Sequence, residues 1–262
     1  MVTLKKPNEI KIIAEAGRWL GEVLQELQGA VHPGITTGEL EKMSLKEIEK
    51  RGAKPAFLGY QPSGAVVPYP ASLCVSVNDQ VVHTPPSEYV LRDGDVLKLD
   101  LGLRHHGWCV DSAITVPVGK VSKEAMRLIQ TTAQALEDAI QAAQPGNHMG
   151  DIGHAVQVAI EGAGFSVVRS LTGHGIGHEV HEDPYVFNYG RPGEGMKLVP
   201  GMVLALEPIT TIGNGRIIQL DDDSYATADG KVAAHFEHTS RLLLRANDFS
   251  FLKFQRAIMT NT

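Results

Sequence analysis

Cysteine is scarce in this chain: Cys74 and Cys109 are the two present in 262 residues. Two thiols in an unsecreted chain are expected to stay reduced, so the fold cannot rest on a disulfide framework. The opening stretch, Met1 to Lys11, is charged and lacks the apolar core of a secretion signal. No apolar run approaches the roughly 20 residues needed to span a membrane. Basic residues are outnumbered, with 24 Lys and Arg against 30 Asp and Glu and a net charge of -6. That balance gives nucleic acid or an anionic membrane no electrostatic reason to bind. What remains, 43% hydrophobic and 21% charged residues, is the composition of a soluble globular protein, expected in the cytoplasm. The length suits one large domain or two small ones.

Apolar residues recur at helical spacing along residues 10–27, at Ile12, Ile13, Ala16, Leu20, Val23, Leu24 and Leu27. His32-Pro33-Gly34 ends that helix, and Thr36 with Glu39 reads as a capping box opening a second helix that stops at Gly52. The layout returns later. Residues 123–143 form a long amphipathic helix with Ser122 as N-cap, Pro145-Gly146 ends it, and residues 151–163 make a shorter helix closed by Gly164. Pro33, Gly34, Gly38, Glu39 and Gly52 fall on Pro145, Gly146, Gly150, Asp151 and Gly164 at one constant offset of 112 residues. Glycine and proline fix backbone geometry, so the coincidences point to a duplicated helix–turn–helix unit. Strand patterns follow each helix pair, at Leu73–Val77, Asp95–Leu103 and Trp108–Val116, then at Phe165–Val168, Met202–Glu207, Arg216–Leu220 and His235–Leu244. Helices followed by mostly antiparallel strands, twice over, give an α+β fold. No Gly/Ser-rich linker divides the halves. The chain reads as one domain, 1–262, with pseudo-repeats at about 8–118 and 120–245 and a cleft where they meet.

The chemistry concentrates in four stretches. If residues 95–103 and 108–116 form a hairpin centred between His105 and His106, Asp100 falls directly opposite Asp111 on one face, with Cβ atoms about 5 Å apart. Two such charges need a cation between them, or else one carboxylate faces solvent. In Thr172-Gly-His174-Gly-Ile-Gly-His178-Glu-Val-His181, the i, i+4 histidines mimic a helical zinc motif, but the glycines argue against a helix. A glycine-rich turn holding imidazoles is expected instead. Pro200-Gly-Met-Val-Leu-Ala-Leu-Glu207-Pro208 is an apolar strand ending in a carboxylate, which is also the pattern of a solvated glutamate at a sheet edge. His235-Phe-Glu237-His238-Thr239 sets a further carboxylate in a strand. Four carboxylates and an imidazole suit Mn, Fe, Co or Zn, and two like-charged pairs make most sense around two divalent ions.

These stretches together resemble the bacterial type I methionine aminopeptidases of the pita-bread metallopeptidase superfamily. The resemblance is carried by Lys6-Pro-Asn-Glu-Ile, Val31-His-Pro-Gly-Ile-Thr-Thr-Gly-Glu-Leu, Tyr69-Pro-Ala-Ser-Leu-Cys74-Val-Ser-Val-Asn78, Asp93-Gly-Asp-Val, Gly173-His-Gly-Ile-Gly, His181-Glu-Asp-Pro, Pro200-Gly-Met and Phe236-Glu-His-Thr, spanning about residues 5 to 244. It implies pseudo-two-fold halves around a central curved antiparallel sheet with outer helices. It also implies two divalent metal ions (Co, Mn, Fe or Zn) on Asp100, Asp111, His174, Glu207 and Glu237, with Asp111 and Glu237 bridging. By the same likeness Glu207 doubles as general base, His83 lies near the substrate amine, and His181 stabilises the oxyanion formed when a bridging hydroxide attacks the first peptide carbonyl. The substrates implied are peptides and nascent polypeptides with an N-terminal methionine and a small second residue; the enzyme implied is a monomer, and ribosome association is left open. Tyr60, Tyr69, Cys74 and Phe57 would line a methionine pocket, although Phe57 serves equally well as ordinary core.

The chain departs from the family pattern in three places: the longer segment Gln61–Pro68, Asp221-Asp-Asp-Ser-Tyr225 in place of Asp-Gly-Trp, and Val180 before His181. All three touch specificity and leave the ligand set intact. The competing readings are an X-Pro aminopeptidase or dipeptidase of the same superfamily, whose members usually carry a large extra N-terminal domain, and a non-catalytic pita-bread binding protein. The second conflicts with five filled ligand positions.

Overall fold

The computed structural model describes residues 2–61 and 67–242. Most of the longer segment Gln61–Pro68 lies outside the described residues, as do the residues from Leu243 to Thr262, including the end of the expected strand His235–Leu244.

Helix α1 (Pro7–Ala30) begins at a proline, where a missing backbone donor costs nothing, and Glu9 accepts the Lys6 amide at 2.7 Å. Thr36 and Glu39 form the expected capping box at the head of α2 (Thr37–Lys50), with Glu39 N donating to Thr36 Oγ1 at 3.1 Å and Thr36 N to Glu39 Oε2 at 2.8 Å. Ser122 caps α3 (Lys123–Ala142) through the Ala125 amide, and α4 (Met149–Gly162) follows. The 112-residue offset recurs in these elements: Thr37–Lys50 falls on Met149–Gly162. Gly34 and Gly146 adopt φ of 103° and 100°, a left-handed turn that only glycine enters freely.

The strands are β1 (Lys54–Pro55), β2 (Leu73–Val77), β3 (Gln80–Val82), β4 (Val96–His105), β5 (Trp108–Pro117), β6 (Ser166–Val167), β7 (Thr172–Gly175), β8 (Glu182–Phe187), β9 (Val203–Leu206), β10 (Ile209–Thr211), β11 (Ile217–Gln219), β12 (Tyr225–Thr227), β13 (Ala233–His235) and β14 (Glu237–Arg241). The main sheet runs β1-β4-β5-β14-β9-β7-β8 with β2 also on β4, so the strands of the two halves meet at its centre, where β5 pairs with β14. Every pair is antiparallel. Along β4, Leu97, Leu99, Leu101 and Leu103 alternate with Lys98, Asp100 and Gly102, so a period of two sends leucines to one face and Asp100 to the other. The leucines join Leu20, Leu24 and Leu27 of α1 in the main core.

Two expectations need correction. The hairpin turns at His106-Gly107, both at positive φ (48° and 83°), so His105 pairs with Trp108 and Asp111 lies opposite Gly102, not Asp100. Both central residues of a two-residue turn of this kind take positive φ, which a residue followed by glycine supplies and a His-His centre does not. The segment from His235 is not one strand. It breaks at Phe236, where the chain leaves the small sheet β13-β10-β6 and enters the main one.

Candidate metal centre

The register of the main sheet assembles the five expected ligand residues. Asp100 and Glu237 both lie opposite Ala113, one on each side of β5. The pairs His238↔Leu206 and Ile209↔His235 share one antiparallel register across the switch between sheets, which sets Glu207 opposite Glu237. Asp100, Ala113, Glu237 and Glu207 therefore form one row across four consecutive segments. Two residues along, on the same face, runs a second row. In it Asp111 faces Gly102, exchanges hydrogen bonds with Thr239 through its backbone, and Thr239 faces Ala205, which faces His174. The two aspartates are thus diagonal neighbours, still on one face. Ala113, between Asp100 and Glu237, and Ala205, beside His174, keep the positions next to the ligand residues small.

His174 sits on strand β7 and not in a turn, which corrects the expected glycine-rich turn. The flanking glycines serve close backbone approach: a Cβ on Gly173 would lie 2.4 Å from the Ala205 carbonyl oxygen, and one on Gly175 would lie 2.0 Å from that of Asp183. Any side chain there would push β7 off its neighbours and displace His174. His174 Nδ1 sits 2.9 Å from the Gly175 carbonyl oxygen. This is the contact that turns a protonated Nδ1 outward and leaves Nε2 free to act as a ligand. Nε2 then faces Glu207 Oε1 at 3.5 Å and Glu237 Oε1 at 3.9 Å.

The electrostatics are those of a site built for positive charge. Burial pushes the Asp100 carboxyl up to about 7. Burial and then the neighbouring carboxylates hold Asp111, Glu207 and Glu237 well above the usual range. Asp100 Oδ1, Asp111 Oδ1 and Glu237 Oε1 are buried without a hydrogen-bond partner, a costly state that a cation relieves. Ligand atoms of Asp111, His174 and Glu237 come within 4.8 Å of one another. Burial depresses His174 to about 4, so it is neutral, the form in which imidazole binds metal. The donor set fits divalent ions that accept oxygen and imidazole nitrogen.

A cleft opens over these rows. Its walls include every other residue singled out from the sequence: Phe57, Tyr60, Tyr69, Cys74, His83 and His181. His181 stands with its ring 4.4 Å from that of His174, edge to face, and Tyr60 Oη lies 2.8 Å from His181 Nδ1. Burial, followed by repulsion from His174 and His83, holds His181 below the usual histidine range. The loop carrying it is tied down by Glu182, which accepts the His178 amide at 2.7 Å and the Lys5 ammonium at 2.7 Å. His83 is held at φ 62°, a left-handed backbone rare outside glycine, with its ring 5.9 Å from Tyr225. Phe57 occupies the space over Gly102, where a Cβ would lie 2.7 Å from its ring, and so is both core and cleft wall. Of the departures, Val180 is fully buried, Asp222 and Asp223 line the cleft, and Tyr225 backs His83 without reaching the lining. Cys74 and Cys109 are free thiols.

Sequence reasoning missed His235. Its Nε2 lies 3.8 Å from Glu207 Oε2 and 4.0 Å from Glu237 Oε2, and it lines the cleft. The signal was its position two residues before Glu237, which in the expected strand puts both on one face.

Buried carboxylates with a neutral histidine beneath an open cleft define a metallohydrolase-type centre. The model of metallopeptidase family M24 matches residues 11–241, and the chain belongs to that family. Among its relatives, "Methionine aminopeptidase" of Clostridium perfringens is 46% identical over 93% of this chain and 96% of its own. "Methionine aminopeptidase 1" of Bacillus subtilis is 42% identical over 91% and 94%. The crystal structure of methionine aminopeptidase from Thermotoga maritima superposes with a TM-score of 0.88 at 38% identity, covering 93% of this chain and 96% of that one. The prolidase from Pyrococcus horikoshii, at 21% identity and a TM-score of 0.73, shares the pita-bread fold alone; this chain spans 60% of its length. Among the described residues no helix is long and apolar enough to cross a membrane.

Proposed function

We propose that this chain is a metal-dependent aminopeptidase that releases N-terminal methionine from peptides and nascent polypeptides whose second residue is small. The observation that carries the reading is the pair of ligand rows: Asp100, Glu237 and Glu207 in one, Asp111 and His174 in the next, with buried oxygens lacking any other partner. Those five residues would hold two divalent cations (Co, Mn, Fe or Zn), Asp111 and Glu237 between them. Such ions supply Lewis acidity, polarising a carbonyl and lowering the pKa of a bound water to about 7.

The chain's own residues do the rest. Glu207, held well above the usual carboxylate range by burial and the neighbouring aspartates, has the proton affinity to take a proton from the attacking water and pass it to the leaving amine. His181, neutral and turned by Tyr60, offers Nε2–H to the carbonyl oxygen as negative charge develops there. His83, fixed by its unusual backbone, orients the free amine. Tyr60, Tyr69, Phe57 and Cys74 enclose the methionine side chain with aromatic surface and a thiol, a lining that suits a thioether. The catalytic unit is the single domain 1–262, acting as a cytoplasmic monomer.

The test is a peptide panel assayed with each of Mn, Fe, Co and Zn. Release of methionine from Met-Gly and Met-Ala peptides, absent without metal and slow before a bulky second residue, is expected. Efficient turnover of X-Pro peptides with no preference for methionine would replace this reading with that of a prolidase-like enzyme.

A further inference from the structure

His235 is 2% exposed, and neither ring nitrogen has a hydrogen-bond partner. An imidazole stripped of water with both nitrogens unpaired is costly, so its retention needs an explanation. Its surroundings offer one. His174 Nε2 approaches Oε1 of Glu207 and Glu237 at 3.5 and 3.9 Å, and His235 Nε2 approaches Oε2 of the same two glutamates at 3.8 and 4.0 Å. The two carboxylates are therefore held between two imidazoles, each presenting one oxygen to either side. Asp111 lies with His174 and Glu237 in a group whose ligand atoms come within 4.8 Å of one another. The Oε1 atoms thus lie on the His174 side and the Oε2 atoms on the His235 side.

We propose that His235 is a positioning residue: its Nε2–H faces the carboxylates of Glu207 and Glu237 and sets how the two present themselves to the metals. The tautomer follows from the same contacts. A proton on Nδ1 would be a buried donor with no acceptor, whereas a proton on Nε2 faces two carboxylates. The backbone is rigid enough for the task. Thr115 Oγ1 accepts the His235 amide at 2.9 Å and donates to its carbonyl at 2.6 Å, a two-way clasp where the strand changes sheets. Partners in this position orient metal ligands, and their removal costs roughly 10- to 100-fold in metal affinity.

The inference rests on the proposed ligand set, so the test keeps the two apart. Mn²⁺ is titrated calorimetrically into the metal-free full chain for the native protein, His235→Gln and His235→Leu. His235→Leu should bind Mn²⁺ about 10- to 100-fold more weakly, and His235→Gln, which keeps an N–H donor, should recover most of the loss. His235→Leu binding as tightly as the native chain would overturn the proposal, as would equal losses in both variants, which indicate a packing role. Failure of the native chain to bind Mn²⁺ would instead bring down the metal reading itself. Nitrogen-15 NMR of the histidine rings in the native protein gives a reading independent of how well the variants fold: an Nε2–H tautomer at His235 is expected, and Nδ1–H would overturn the proposal.

Discussion

The two halves of the chain deliver their ligands by different means. In the first half, Asp100 and Asp111 sit well inside β4 and β5, strands of ten residues each, paired on both flanks. In the second half, His174 lies on a four-residue strand, Glu207 follows another, and Glu237 opens a strand of five. Long ladders fix the aspartates by regular geometry alone. The second-half ligands depend on particular contacts: the glycines that bring β7 against its neighbours, and the paired crossing of Glu207-Pro208 and Phe236-Glu237 from one sheet to the other. The first half is a frame, and the second half is fitted to it.

A methyl group added in each half should bring out that difference. Gly175→Ala sets a Cβ against the Asp183 backbone carbonyl, which cannot move without displacing β7. The expected cost is about 3 kcal/mol, a thermal midpoint lower by about 6–12 °C, together with weakened metal binding. Gly102→Ala meets the Phe57 ring, a side chain that can tilt, and should cost about 1 kcal/mol with metal binding retained. Calorimetric melting of both variants decides; equal losses would remove the distinction between frame and fitted part. A smaller effect is expected at the cleft wall. Tyr60→Phe removes the hydrogen bond to His181 Nδ1, worth about 1 kcal/mol, so kcat should fall roughly five-fold with KM for a Met-Ala peptide nearly unchanged. A rise in KM at constant kcat would make Tyr60 a wall of the methionine pocket only.

What was legible in the sequence follows the same division. Helices, caps and the frame strands announce themselves through local rules: Thr36 with Glu39, Ser122, Gly34 and Gly146, and the period of two along Leu97–Leu103. The face shared by Asp100 and Asp111 could be read, although their register could not be read correctly, because it hinged on placing a two-residue turn at His106-Gly107. His174 and the two glutamates could be named through the family resemblance more than through their own patterns. The reason for the glycines around His174 was out of reach, since the backbone they admit, at Ala205 and Asp183, is distant in sequence for Ala205 and folded back by β8 for Asp183. His235 was within reach of the period of two, which puts it on the face of Glu237 in the expected strand, but its approach to Glu207 was not, since that depends on the switch of sheets at Phe236.

The central claim is that both halves close on one pair of ions. Its most direct test is metal stoichiometry by elemental analysis and calorimetry on the native chain and on Asp111→Ala, the first-half residue proposed to lie between the ions. The native chain should bind two ions per molecule at saturation, with Asp111→Ala losing high-affinity binding and kcat/KM falling by about 1,000-fold or more. Undiminished stoichiometry and affinity in Asp111→Ala would contradict the account.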